Sequence, residues 1–407
     1  MTTPGPRAAP TPHRLPRVLL ADRGDPLTGP LSVAVRHRFD VVDRVDAELT
    51  RPERLLVAAT TFRPGRRAWS ERFHKSNLAV GLRSRRAETG LSGTGRDADV
   101  VLQTHALFET ADPRTVLYLD CTHRQSQAQW PAWDPLRGRG LARWLDREHR
   151  QFHRAAHLFA FSQETARSLV EQYDVPPARV SVVGAGVTLP PPPARREPRT
   201  DRAPVVLFVG NDFERKGGPE LLQAFALLRH RHPDAELRLV GTPYPVPAQD
   251  GVTHLGRVHD REAMSRLYAE ADVFCLPAHF DPFPGALLEA MAHGLPCVVT
   301  PTCGVPEIVV EDVTALTVAP GAALPDRLAD ALDRLLRDPE AAASMGRQGR
   351  RRVEDRFLWS HVLDRMAPVL ERLAAPTDAP TAQRTTRTPR TGASAPVRTT
   401  TPRGERP

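Results

Sequence analysis

Residues 272–299 read DVFCLPAHFDPFPGALLEAMAHGLPCVV, and this stretch decides the fold of the second half of the chain. DVFCLP is, after Asp272, a short apolar run ending at a proline, which suits a buried strand. GALLEAMAHG has helical spacing. Phe283 and Pro284 mark the helix entry, and Gly294 supplies a left-handed stop. LPCVVT is apolar again. Strand, helix and strand in so short a span make a βαβ unit with parallel strands. Upstream the same alternation repeats in PVVLFVG (204–210), PELLQAFALLRH (219–230), AELRLVG (235–241) and REAMSRLYAEA (261–271). Strands alternating with helices imply a parallel sheet covered on both faces, with ligands beyond the carboxyl ends of its strands.

The first half carries a weaker form of the pattern. RVLLAD (17–22), DVVLQT (99–104) and TVLYLD (115–120) are strand candidates, and RVSVVGAGV (179–187) reads as a closing strand. PLTGP (26–30) reads as a turn, while the apolar spacing over 141–160 and 162–173 is helical. Proline, 41 of 407 residues, concentrates before Pro16, between Pro190 and Pro204, and beyond residue 375. Such stretches bury too little apolar surface to order themselves. The expected organisation is a tail at 1–16, a domain at 17–189, a linker at 190–204, a domain at 205–356 and a basic tail at 376–407.

The tails account for +3 (residues 1–17) and +4 (376–407) of the net charge of +8, leaving about +1 on the body. That balance argues against a nucleic-acid-binding face. Only Lys75 and Lys216 are lysines, against 54 arginines. The four cysteines, Cys121, Cys275, Cys297 and Cys303, form no CxxC pair and suggest no disulfide framework. MTTPGPRAAP has no apolar core, so no signal peptide is expected. The longest stretch free of Asp, Glu, Lys and Arg, 290–306, is broken by Gly and Pro and is no bilayer span. The expected location is the cytoplasm.

Two strand ends carry candidate chemistry. After LFVG the chain reads Asn211-Asp-Phe-Glu-Arg215-Lys216-Gly217-Gly218. One of the two lysines there adjoins an arginine and a glycine pair at a strand-to-helix turn. Arg offers a bidentate fork to phosphate oxygens and Lys a mobile point charge. After DVFCLP, Asp281 lies in the loop ahead of the helix, and the amides of Gly285, Ala286 and Leu287 form an anion site at its N-terminus. Glu289 lies more than a turn inside, where its carboxylate can accept from two vicinal hydroxyls, as on a ribose. Taken singly, Arg215–Lys216 could equally be a solvated pair and Glu289 an exposed helix residue. Their joint position at two strand ends favours a site.

The second half resembles the donor-binding domain of retaining glycosyltransferases of family 4, which have the GT-B fold. The shared features are Asp281-x7-Glu289 followed by LLEAMAHGLPCVV, then GVPEIV (304–309), the RKGG segment, and GRV…LYAEADVF (256–274). The resemblance implies α/β architecture with two Rossmann-like doubly wound domains facing across a cleft. It further implies that a final helix at 357–373 crosses back to the first domain. By that likeness Glu289 holds the nucleotide ribose, while Arg215, Lys216 and the amides of 285–287 hold the diphosphate. Asp281 lies at the transferred sugar, with Phe283 and Glu307 supporting the site. This chain has Asp where the motif's first acid is commonly Glu, and Pro282 where Gly is common. In the first domain either Asp120 or His123 fills the sugar-contacting position, Asp120 being preferred. The glycine loop after the first strand is reduced to Gly24 and Gly29.

The implied reaction moves a sugar, with retention, from a nucleotide-diphosphate sugar to a sugar, lipid-linked or small-molecule acceptor. The leaving diphosphate itself helps deprotonate the acceptor, with no metal and no other cofactor. Two alternatives are a catalytically impaired sugar-nucleotide-binding protein and a GT-B epimerase or hydrolase.

Other patterns carry less. Asp97-Ala-Asp99 runs straight into a strand and reads as a strand-start turn. His149, His153 and His157 share a helical spacing but lack a flanking carboxylate motif such as HExxH, so a polar helix face is the better reading. Gly184-x-Gly186 lacks the rest of a dinucleotide fingerprint. Residues 63–86 carry eight Lys and Arg against Glu71, with Trp69, Phe73, Leu78 and Leu82 interleaved. They read either as a membrane-surface helix or as a helix packed on the first domain with a solvated basic face.

Overall fold

The computed structural model describes residues 14–24, 27–94, 97–189, 202–243 and 245–375. The tail expected at 1–16 and the linker expected at 190–204 lie outside them except for the last three residues of each, and the tail at 376–407 lies outside altogether.

The N-terminal half comprises β1 (Arg17–Asp22), α1 (Thr28–Arg38), β2 (Asp40–Asp46), α2 (Arg51–Thr61), α3 (Arg66–His74), α4 (Asn77–Thr94), β3 (Val100–Thr104), β4 (Thr115–Leu119), α5 (His123–Gln129), α6 (Gly138–Arg154), β5 (His157–Ala160), α7 (Gln163–Tyr173) and β6 (Val180–Val182). Its six strands pair in parallel in the order β2-β1-β3-β4-β5-β6. Every residue of β3 and β4 is buried, as a sheet covered on both faces demands. The edge strand β2, DVVDRVD, carries its charge outward, which discourages further pairing.

The C-terminal half comprises β7 (Val205–Val209), α8 (Gly218–Arg229), β8 (Glu236–Val240), β9 (Val252–Gly256), α9 (Arg261–Glu270), β10 (Val273–Leu276), α10 (Gly285–Ala292), β11 (Cys297–Val299), α11 (Val305–Ile308), β12 (Leu316–Thr317), α12 (Leu324–Arg337), α13 (Pro339–Arg356) and α14 (Trp359–Ala374). Its sheet runs β12-β11-β10-β7-β8-β9, again all parallel. One continuous core runs from Val187 to Phe357. The last helix belongs elsewhere: Val362, Leu363, Met366 and Leu370 of α14 pack with Val18, Leu20, Val100 and Leu102 of the first sheet. Among the described residues no helix is long and apolar enough to cross a membrane.

Several expectations are corrected. The helix expected over 141–160 stops at Arg154, and HLFA (157–160) is the strand β5 between β4 and β6. A four-residue buried run has no period that separates strand from helix. The closing strand over 179–187 pairs only at Val180–Val182, because Gly184 takes φ +73° and turns the chain away. The expected turn at 26–30 instead leads into α1 from Thr28. Residues 63–86 form two helices, not one. The break falls at Lys75–Ser76, where the Ser76 hydroxyl accepts the Ala79 amide at 3.0 Å and caps α4.

Candidate functional site

The turn after β7 is shaped by Gly217. Its φ is +75°, and a Cβ there would lie 2.0 Å from the Pro277 carbonyl oxygen, so only glycine lets this turn rest against the loop after β10. That close approach delivers the neighbouring cations to the loop carrying Asp281. Lys216 Nζ lies 3.0 Å from Asp281 Oδ2, and Arg215 Nη1 lies 4.0 Å from the same oxygen. Arg215 is 4 % exposed and Asp281 7 %. The Arg215 guanidinium also donates to the Phe280 carbonyl and stands 3.5 Å from the Asp212 carboxylate. Buried charges at this density hold only where they are paired, and here two cations share two carboxylates. An entering diphosphate would compete with Asp281 for Lys216.

α10 begins beside this cluster. Of the three amides expected to be free, that of Leu287 donates to the Pro284 carbonyl at 3.1 Å. This is a correction for Leu287: a proline carbonyl closes the first turn and takes up that donor. Gly285 and Ala286 are left without an acceptor among the described residues. Glu289, half-buried, accepts from the Tyr268 hydroxyl at 2.9 Å on one oxygen and from the Thr188 hydroxyl on the other. Burial, and after it the Glu289 charge, pushes the Tyr268 phenol well above its ordinary pKa, so it acts as a donor throughout the neutral range. The α10 backbone is held further by His293, whose ring pairs with the Glu289 carbonyl (2.7 Å) and with Ser265 (2.9 Å). Tyr268 lies within LYAEADVF, so the motif contained it; Thr188 had no signal in the sequence.

In the N-terminal domain Asp120 follows β4. Its Oδ1 lies 3.3 Å from His105 Nδ1 and accepts the Cys121 amide at 2.9 Å. Burial works to raise the Asp120 pKa, but the His105 charge and these hydrogen bonds outweigh it and hold the group below its ordinary value. His105 itself sits at φ +57°, an uncommon left-handed geometry for a residue with a side chain. His123 opens α5 and turns inward, 4 % exposed, with Nε2 3.3 Å from Asp134 and its ring against Trp144. Burial and then the charge of Lys75 push its pKa down to about 4. Of the two alternatives for the sugar-contacting position, Asp120 is half-exposed and His123 is enclosed in the domain.

Phe283 and Glu307 touch the first domain. The Phe283 ring stands 6.0 Å from Phe161 and 6.2 Å from Phe357, and the Glu307 carboxylate accepts the Gln163 amide at 2.7 Å. Burial raises the Glu307 pKa against the pull of that amide. Two tryptophans that sequence reasoning did not select make further cross-domain contacts. Trp133 lies with its ring 4.4 Å from the Arg215 guanidinium and edge-on to Phe280 at 5.5 Å. Trp130 stacks on His279 at 5.7 Å. Beside Trp133 opens a cavity of about 690 Å³, lined by Ser70 and Glu71 on one side and by Asn211, Arg215 and Thr242 on the other. Its size suits a nucleotide-sized ligand. The structure thus gathers Arg215, Lys216 and Asp281 in one cluster, and anchors Glu289 separately to Tyr268. Among the described residues no group of three or more His, Cys, Asp or Glu is placed to hold a metal. The three spaced histidines divide accordingly: His149 and His153 share α6, while His157 lies on β5.

Residues 194–352 match the family described as glycosyl transferases group 1. An MMP alpha-(1->4)-mannosyltransferase of Mycolicibacterium hassiacum is 31 % identical over 249 residues, 58 % of this chain and 59 % of that protein. A glycogen synthase of Mycobacterium tuberculosis is 27 % identical over 346 residues, 79 % of this chain and 81 % of that one. The chain thus spans about three fifths of the first relative and about four fifths of the second. Among solved structures, sucrose-phosphate synthase from Thermosynechococcus elongatus superposes with TM-score 0.63 at 18 % identity, covering 88 % of this chain and 99 % of that one. This likeness is one of fold: two Rossmann-like domains in the GT-B arrangement.

Proposed function

Since residues 194–352 match the group 1 glycosyl transferases, we propose that the chain transfers a sugar from a nucleotide-diphosphate donor to an acceptor held by the N-terminal domain, with retention at the anomeric carbon. The observation that carries this reading is the buried Arg215–Lys216–Asp281 cluster at two strand ends, with Glu289 anchored on the helix that follows. Residues 205–356 would bind the donor and residues 17–189 the acceptor. Arg215 and Lys216, with the amides of Gly285 and Ala286, would neutralise the diphosphate as it leaves. Glu289 would exchange a protein hydroxyl for those of the ribose. Asp281 and Asp120 would contact the transferred sugar from opposite domains. Catalysis would then rest on positioning and charge stabilisation, with no protein nucleophile and no metal. Trp133 and Trp130 would help exclude water from the closed cleft. We place the reaction in the cytoplasm, with the basic 63–86 segment available to a membrane surface.

The test is thermal stabilisation by a panel of UDP-, GDP- and ADP-sugars, followed by a hydrolysis assay on any donor that binds. A donor that stabilises the protein and is slowly hydrolysed is expected. Silence across the panel would remove the diphosphate assignment of Arg215 and Lys216, and the proposal with it.

A further inference from the structure

At the carboxyl ends of β1 and β2 the N-terminal domain gathers more positive charge than it neutralises. Arg23 follows β1 and Glu48 follows β2, while Arg54 comes from α2 and Arg83 from α4. Arg83 is completely buried. Its Nη2 lies 3.6 Å from Glu48 Oε1 and its Nη1 donates to the His74 carbonyl at 3.4 Å. Arg23 Nη1 lies 4.0 Å from the other Glu48 oxygen. Both distances are ion-pair contacts too long to be hydrogen bonds. Among the described residues, Arg23 Nε and Arg83 Nε and Nη2 are buried with no hydrogen-bond acceptor. Burial pulls the Arg83 pKa down and Glu48 raises it, while Arg23 and Arg54 both act against it. Two guanidinium groups therefore share one carboxylate at ion-pair distance, and the Arg54 charge adds to theirs.

The neighbouring acids are otherwise engaged. Asp22 binds Arg44 through both oxygens at 2.7 Å. Asp46 accepts the Glu48 amide at 2.8 Å, and Glu53 closes the capping box with Thr50. A buried donor left without an acceptor is destabilising, more so where it is charged. A cluster of this kind at the ligand-binding edge of a doubly wound sheet is under-filled rather than structural.

We propose that Arg23, Arg54 and Arg83 form an anion site on the acceptor side of the cleft, which takes a phosphate group of the acceptor. Phosphate fits because it brings two negative charges and several acceptor oxygens to planar guanidinium donors. The inference deepens the proposed function and rests on the N-terminal domain being the acceptor side. Arg83 is the fixed floor of the site. Arg23, with 22 % of its side chain exposed, and Arg54, also exposed, are the arms that reach the ligand. Arg54 also lines a groove of about 550 Å³ between α2 and α3, shared with Leu55, Ala58, Trp69 and Phe73. Leu55 is 72 % exposed there. The phosphate can thus come from a soluble sugar phosphate or from a lipid headgroup whose chain would lie along that groove.

The experiment is a calorimetric titration of the full chain with inorganic phosphate, made with UDP, GDP or ADP at saturation so that Arg215 and Lys216 are occupied. It is repeated with glucose 6-phosphate and with phosphatidylcholine vesicles with or without phosphatidic acid. Phosphate is expected to bind alongside the nucleotide. Arg23→Gln and Arg54→Gln should each weaken it by at least about tenfold, equivalent to 1.4 kcal/mol, with nucleotide affinity unchanged. Arg215→Gln should do the reverse. Tighter binding of the sugar phosphate identifies a soluble acceptor, and tighter binding of phosphatidic acid vesicles a lipid one. The site is overturned if phosphate is displaced by nucleotide, or if both arginine variants titrate like the parent. Loss of nucleotide binding in every protein would instead overturn the donor assignment. Arg23 and Arg54 are chosen because removing the buried Arg83 could unfold the domain.

Discussion

Lys216 and Asp281, on loops after two adjacent strands of the C-terminal sheet, are ion-paired at 3.0 Å. The proposed contact to a donor diphosphate needs the cation of that pair, and the proposed contact to the transferred sugar needs the anion. The two residues should therefore respond to substitution in opposite senses.

Lys216→Ala is expected to weaken nucleotide-sugar binding by ~10- to 100-fold, the loss of one or two charge-assisted contacts. Asp281→Asn releases Lys216 and should bind donor as well as the parent or better, while transfer falls by ~100-fold or more. Paired titrations and rate measurements check this. Weaker donor binding in Asp281→Asn would contradict the competition between carboxylate and diphosphate.

Glu289→Ala should raise the donor KM by ~10- to 100-fold with a smaller change in kcat, as removal of uniform binding predicts. Tyr268→Phe, which deletes one donor to Glu289, should cost about 1 kcal/mol of stability and little activity. Normal turnover in the Glu289 variant would end the ribose assignment.

Trp133→Ala removes a cation–π contact at 4.4 Å and an edge-on contact to Phe280, interactions of ~0.5–2 kcal/mol together. We expect a small change in melting temperature and a clear rise in the ratio of donor hydrolysis to transfer. An unchanged ratio would show that Trp133 does not exclude water.

His123 and His157 are each 4 % exposed, and burial is the first cause pushing both down from 6.5 to about 4. Between pH 6.5 and 4 the unfolded chain then binds protons that the folded one refuses, so stability rises with pH across that window. It is fully present above 6.5 and lost as the pH falls toward 4, by on the order of 2 kcal/mol for each histidine. Urea midpoints at pH 7 and pH 5 measure this, and His157→Gln should flatten the difference.

Gly217→Ala should be strongly destabilising, by roughly 2 kcal/mol or more, because the added Cβ meets a backbone oxygen and the φ is left-handed. If the variant folds, it should lose donor binding with Arg215 intact, since the turn that aims Lys216 at Asp281 must move.

The stretch 272–299 was legible because its strands are central, with β10 lying between β7 and β11, so apolar run, helix entry and glycine stop all agree. The candidate site residues of that half followed from strand ends and a dense motif. Elsewhere the local signal was diluted. β2 reads as polar because it lies at an edge, and α1 was hidden by the Gly-Pro pair at its start. Nothing in HLFA distinguishes a strand from the end of the preceding helix until β4 and β6 are seen on either side. Trp133 and Thr188 were beyond reach for another reason. Their partners, Arg215 and Glu289, are remote in sequence, and no spacing rule connects such positions.

The packing of α14 fixes an order of events during synthesis. Its apolar face completes the core built around Val18 and Leu20, although it is made after the entire C-terminal sheet. Domains commonly fold in the order in which they leave the ribosome, but here the domain begun first is finished last. Until residues near 370 emerge, the nascent first domain lacks the apolar cover that Val362, Leu363 and Met366 supply.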